Sequence, residues 1–220
     1  MNIIFLILLI IFTVKHLIDS WNDDAKKRAL TKPFPLICIL LFYLTTTKNV
    51  YMPLVIALFA SWLGDVLLIP KGHKWFTLGG IAFMISHFFF ILVYLRNIQF
   101  SQIPWGWAIL IWLIYHMISM YIMYKVKDNT PKIMVFPMYF YLLCNSTMNA
   151  FALLQHFSIQ SSGSLVALIG AILFFVSDCT LFLVRYSKHP NIVFKKHFTV
   201  MLTYIVGEFL ITLGMLMINH

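Results

Sequence analysis

Apolar residues come in eight runs along this chain, separated by short polar stretches that hold most of the charge. A helix needs about 20 apolar residues to cross the hydrocarbon core, with a range of roughly 17–25. The runs fall at about residues 2–18, 34–47, 51–69, 76–95, 105–124, 133–157, 164–184 and 198–218, and each predicts a transmembrane helix. The second run is short, and its gap to the third is brief. Pro53, Pro104 and Pro131 stand at or near predicted helix starts, where a missing N–H costs little. Pro35 and Pro137 fall just inside spans two and six.

Composition agrees with the pattern. The chain is 61% hydrophobic and only 10% charged, whereas a soluble domain is roughly half apolar and a quarter charged. This set cannot make a water-facing surface, so the prediction is one all-α polytopic domain over residues 1–220. The first run has no basic stretch before it and no small-residue cleavage site after it. It is expected to be a retained span rather than a signal peptide.

The net charge of +9 would suggest a nucleic-acid partner in a soluble protein. Here the cations lie between apolar runs, so they are topology signals and lipid headgroup contacts, and nucleic acid is not expected. Lys15, Lys26, Lys27, Arg28 and Lys32 flank the first loop, and Lys71 and Lys74 the third. Lys125, Lys127 and Lys132 mark the fifth, and Arg185, Lys188, Lys195 and Lys196 the seventh. Only Lys48 and Arg96 fall on the other side. The bias makes the odd loops cytoplasmic, with both termini outside the cytoplasm of a cell-membrane protein. Cys38, Cys144 and Cys179 all lie in apolar runs and imply no disulfide framework.

Few carboxylates sit inside the runs, and each costs several kcal/mol there, roughly 2.5–3.5 at the centre. They are Asp65, Asp178 and Glu208. At a rise of about 1.5 Å per residue, Asp65, Asp178 and Tyr204 lie roughly 6–9 Å from the cytoplasmic ends of their spans. His87 and Glu208 lie deeper, at roughly 15–16 Å. Depth therefore suggests an Asp–Asp–Tyr layer near the cytoplasmic face and a His–Glu layer, with Asn145, near the midplane.

The plainer reading of the Asp pair is two interfacial carboxylates, solvated by headgroups or paired with Lys71 or Arg185. The functional reading is an acid–base pair, one protonated and one ionised. No HxxxH, HxxE or CxxC spacing indicates a metal, and no phosphate loop or nucleophile elbow is present. Gly79 and Gly80 read as close helix packing. Gly64-Asp65-Val66-Leu67-Leu68 in span three and Ser177-Asp178-Cys179-Thr180-Leu181 in span seven are similar, which is compatible with a four-plus-four parallel repeat.

In order along the chain, these residues resemble the YhhN-like lysoplasmalogenases. The similarity is carried by Thr31-Lys32-Pro33, by Ser61 to Leu68, by Phe76, Gly79 or Gly80, Phe83 and His87, and by Tyr141 and Met148. It continues through Gly170 to Asp178 and Tyr204. One departure is Glu208, near which the family is expected to carry Gln. The resemblance implies eight spans and hydrolysis of the vinyl ether bond of a lysophospholipid substrate, giving a fatty aldehyde and a glycerophospho-alcohol.

Depth, burial cost and the resemblance together make Asp65 and Asp178 the expected catalytic pair, with His87, Tyr141, Asn145, Tyr204, Glu208 and Lys32 expected to bind or orient. The chemistry suits two carboxyl groups: one delivers a proton to carbon, the other steadies the oxocarbenium ion, and no cofactor is needed. Intramembrane Asp, Glu and His residues suit a proton-coupled transporter equally well. A hydrolase predicts a cavity where the two Asp residues converge. A carrier predicts a broken helix and a path to both faces.

Overall fold

The structure is a computed structural model that describes residues 2–189 and 191–219. The chain termini, Met1 and His220, on which the expected orientation ends, lie outside the described residues. The described residues are almost wholly helical, with nine α-helices and two single 3-10 turns. The helices are α1 (Asn2–Trp21), α2 (Ala25–Thr31), α3 (Phe34–Thr46), α4 (Met52–Leu67), α5 (His73–Leu95), α6 (Trp105–Val126), α7 (Lys132–Ile159), α8 (Ser162–Tyr186) and α9 (His197–Ile218).

Every helix but α2 falls on one of the apolar runs. Six segments are long and apolar enough to cross a membrane, with α2 and α3 counting as one continuous span. Helix α4 is apolar but has only 16 residues. Helix α7 is long, at 28 residues, but carries Lys132, Asn145, Asn149 and Gln155 and is not among the six. Large apolar side chains are exposed along α1 and α6, among them Ile7, Ile10, Trp107, Leu113 and Met117. In water such faces would aggregate; against lipid tails they are at home.

Helix α2 was not foreseen. Asp24 caps it by accepting from the Lys27 backbone N–H at 3.1 Å, and Pro33 ends it and opens α3. The Thr31-Lys32-Pro33 motif thereby acquires three jobs. Thr31 Oγ1 hydrogen-bonds His16 Nδ1 on α1 at 2.8 Å. Lys32 reaches α4, as described below. Pro33 sets the turn between α2 and α3.

Successive long helices pair: α1 with α3 across the short α2, α4 with α5, α6 with α7, and most extensively α8 with α9. Contacts of α5 and α8 with α7, and of α9 with α1 and α3, close the bundle. The α8–α9 pairing rests on glycines two helical turns apart on each helix. A Cβ at Gly170 would lie 2.7 Å from the Gly207 carbonyl oxygen, and one at Gly214 would lie 2.5 Å from that of Gly163. Lipid tails are as apolar as leucine, so close backbone approach supplies the attraction between such helices.

In the α4–α5 pair a Cβ at Gly64 would meet the Phe83 ring at 2.6 Å, and one at Gly79 would meet Leu68 at 2.8 Å. Gly79 is thus the packing glycine, as its position suggested. Gly80 faces open space, with nothing within 4 Å of the Cβ it lacks. The two glycine-dependent pairs are α4 with α5 and α8 with α9, and α4, α8 and α9 carry the acids.

Candidate active site

Ser61 and Asp65 are one turn apart on α4, as are Tyr204 and Glu208 on α9. Residues four apart share a helix face, and these two faces meet. The Tyr204 hydroxyl donates to the Ser61 carbonyl at 3.4 Å and also interacts with the Asp65 carboxyl. One turn further in, the Ser61 hydroxyl donates to Glu208 Oε1 at 2.5 Å and lies 2.7 Å from the Ser86 hydroxyl on α5.

Asp65 is 1% exposed and Asp178 4% exposed, so neither is a headgroup-solvated surface carboxylate. Asp65 has a cation partner, but it is not Lys71 or Arg185: Lys32 Nζ lies 3.4 Å from Asp65 Oδ1. Asp65 Oδ2 has no hydrogen-bond partner among the described residues.

Asp178, on α8, is held by α7 and α5. Tyr141 and Asn145, one turn apart on α7, donate to the same oxygen, Oδ2, at 2.8 and 2.6 Å. His87 Nε2 is 3.3 Å from that oxygen but off the direction a hydrogen bond needs, and His87 Nδ1 is buried without a partner among the described residues. The His87 ring is wedged between Tyr141 and Phe174, at centroid distances of 5.2 and 4.9 Å. Asp178 Oδ1 takes none of these bonds. Here α7 earns its polar residues, since a carboxylate in a low-dielectric interior needs donors that do not have to be recruited from water.

Depth alone grouped these residues differently. His87 and Asn145 belong with Asp178 rather than with Glu208, and Glu208 belongs with two serines. The reason is lateral: depth fixes height along the bundle axis but not which helix faces which. Sequence reading had no signal for Ser61 as a partner of Glu208, nor for Ser86 beside it. Nor did it single out His16 or His197, which line the cavity below, and Arg28, also in its wall, was read only as a topology signal. His116, on α6, is hydrogen-bonded to Tyr139 at 2.9 Å, stacks on Trp112, and does not line this cavity.

Asp65 and Asp178 line one cavity of about 290 Å³, with Lys32, Tyr204, Lys71 and Arg185 also in its wall. A single water needs only about 10–15 Å³ on such a measure, so this space can hold a substrate group and water together. Glu208, by contrast, is wholly buried and does not line it. Among the described residues no three His, Cys, Asp or Glu side chains are grouped to hold a metal ion.

The arrangement offers two carboxyl groups facing one space, one with a fixed oxygen and a free one, the other beside an ammonium group. It can donate a proton, accept one and stabilise positive charge between them.

The model of the YhhN family matches residues 27–215, most of the chain. No curated protein and no solved structure matches it.

Proposed function

The chain belongs to the YhhN family, and from that membership and its acid cavity we propose that it is a membrane hydrolase of lysoplasmalogenase type, cleaving the vinyl ether of a lysophospholipid. The observation that carries the proposal is the meeting of Asp65 and Asp178 at one cavity, each on a different glycine-packed helix pair. In this reading one carboxylic acid transfers a proton to the outer vinyl carbon. The double bond's electrons form the new C–H bond, and the ether oxygen shares the resulting positive charge. The other carboxylate faces that oxocarbenium ion and takes a proton from the water that attacks it. The hemiacetal then collapses to aldehyde and alcohol, consuming one water in all.

Tyr141 and Asn145 fix the Asp178 carboxyl so that Oδ1 meets the substrate, and Lys32 does the same for Asp65. His87 and Tyr204 are positioning residues, and Glu208 supports α4 and α9 from behind. Eight spans, both termini outside, and a four-plus-four parallel repeat belong to the same proposal. They rest on the distribution of Lys and Arg and on the matching Asp motifs of α4 and α8. The cavity then opens toward the cytoplasm, where Lys71 and Arg185 stand.

The carrier reading is less well supported, because α4, α5, α8 and α9 are each continuous where they bear their polar residues. Broken helices at midplane are the usual basis of an alternating path. Purified protein incubated with lysoplasmalogen in detergent or liposomes is expected to release fatty aldehyde. Absence of aldehyde with a folded protein removes the proposal, and proton-coupled uptake into vesicles would put the carrier in its place.

A further inference from the structure

Beside the acid cavity runs a second hollow, wholly different in character. It lies between α5 and α7 and is lined almost entirely by apolar groups, among them Phe76, Gly80, Met84, Pro137 and Met138. Its outer rim is exposed: Thr77, Ile81 and Pro137 face outward, on a bundle whose outward faces are made for lipid. Its inner end is the acid site. Tyr141, which donates to Asp178, is part of its wall, and Leu68, Phe76, Phe83 and Leu181 line both hollows.

The wall between the two is therefore one side chain thick. Arg185 stands over it, its guanidinium 3.9 Å from the centroid of the Phe76 ring, and with Lys71 it lines the polar cavity.

We propose that the two hollows form one amphipathic site for a single-chain phospholipid: the hydrocarbon chain lies in the α5–α7 groove across Gly80, and the phosphate lies between Arg185 and Lys71. This deepens the proposed function and rests on it for the reaction, because it puts a bond at the head of the chain beside Asp178.

The occupant follows from chemistry on both sides. A groove that opens to lipid tails and contains no charged side chain accepts hydrocarbon. The mouth is lined by four cations, of which Lys32 is paired to Asp65 and Arg28 to Asp23, so Lys71 and Arg185 are the two left to accept an anion. The two lie within one molecule's reach because they share a wall. Gly80 measures the chain: the missing Cβ leaves the groove open, and any larger side chain projects into space the chain would fill.

The probe is a 1-O-alkyl lysophosphocholine, which keeps the chain and phosphate but has no vinyl bond to cleave. Binding is therefore read apart from the aldehyde assay, and loss of one does not imply loss of the other. Octyl and hexadecyl forms are titrated against purified full-length protein in nanodiscs. Gly80→Leu should weaken the hexadecyl form about tenfold or more, the cost of displacing about two methylenes, and leave the octyl form within about threefold.

Arg185→Gln should weaken both forms alike. Because Gly80→Leu could disturb the fold, the same lipid with a diazirine in mid-chain is photolysed on the unsubstituted protein. Cross-links should fall on Met84, Pro137 or Met138. Cross-links confined to α1 and α6, or hexadecyl binding unchanged in a folded Gly80→Leu protein, overturn the proposal.

Discussion

Helices α4 and α9 meet twice, one helical turn apart, and an acid stands at each meeting. At the lower level Asp65 faces Tyr204, and at the upper level Glu208 faces Ser61. Both acids are buried, and both have a hydroxyl beside them. Yet Asp65 lines a cavity of about 290 Å³ with a second Asp, four Lys and Arg side chains and room for water. Glu208 has no such space. Ser61 donates to its Oε1, Ser86 in turn hydrogen-bonds Ser61, and Oε2 has no partner among the described residues.

A displacement of about 5.4 Å along a helix thus separates an acid that lines this cavity from one that does not. Burial of a carboxyl group inside a membrane protein marks a place worth study. It is access, and a second group with a complementary task, that makes the place an active site.

The sharpest way to break this contrast is to neutralise the lower acids while keeping their shape. Asp178→Asn and Asp65→Asn should each lower aldehyde release by about 10²–10⁴-fold, roughly 3–5 kcal/mol of barrier, with elution and thermal unfolding close to the parent protein. A folded Asp→Asn protein at near-normal rate would show that the cavity carboxylates are not the acid–base pair.

The upper acid should answer differently. Glu208→Leu removes the acceptor of the Ser61 hydroxyl and should cost about 1–3 kcal/mol of stability, read as a lower unfolding temperature in detergent. Glu208→Gln retains an acceptor for Ser61 and should leave the rate within about threefold, well short of the loss expected for a group in the reaction. A rate collapse in Glu208→Gln with unchanged stability would move Glu208 into the chemistry and erase the contrast.

Smaller again is the effect expected at the edge of the lower site. His87 touches Asp178 without hydrogen-bond geometry, so His87→Gln should slow aldehyde release by no more than about tenfold, with KM little changed. A loss as deep as that of Asp178→Asn would make His87 a proton carrier rather than a positioning residue.

Much of this was legible in the sequence, and the parts that were not share a cause. The eight apolar runs gave the positions of the long helices because period and length are local properties. Asp65, Asp178 and Glu208 stood out because charge is rare at such depths. Helix α2 was invisible: Ala25–Thr31 is short and polar, and only its capping by Asp24 and its ties through Thr31 and Lys32 make it a fixed element. Lys32 was expected among the binding or orienting residues, but nothing in the sequence named its partner, which is Asp65.

Asn145 was placed with Glu208 by depth, but α7 packs on α8 and gives it to Asp178. The acid–serine cluster and the α5–α7 groove depend on which faces meet, and no spacing rule along one chain reports that. Gly79 and Gly80 are adjacent in sequence, yet one packs against Leu68 and the other opens a groove. A helix turns by about 100° per residue, and that alone separates their roles.

The central claim is that the lower pair of acids places a proton on a vinyl carbon. It is tested most directly by running the wild-type protein on lysoplasmalogen in D₂O and examining the aldehyde by mass spectrometry. Proton transfer to carbon from an exchangeable carboxyl group predicts aldehyde bearing one deuterium on the carbon next to the carbonyl, formed more slowly than in H₂O and scarcely at all by Asp65→Asn or Asp178→Asn protein. Aldehyde without deuterium at that carbon, or deuterated aldehyde formed as fast by either Asn protein as by the wild type, would contradict it.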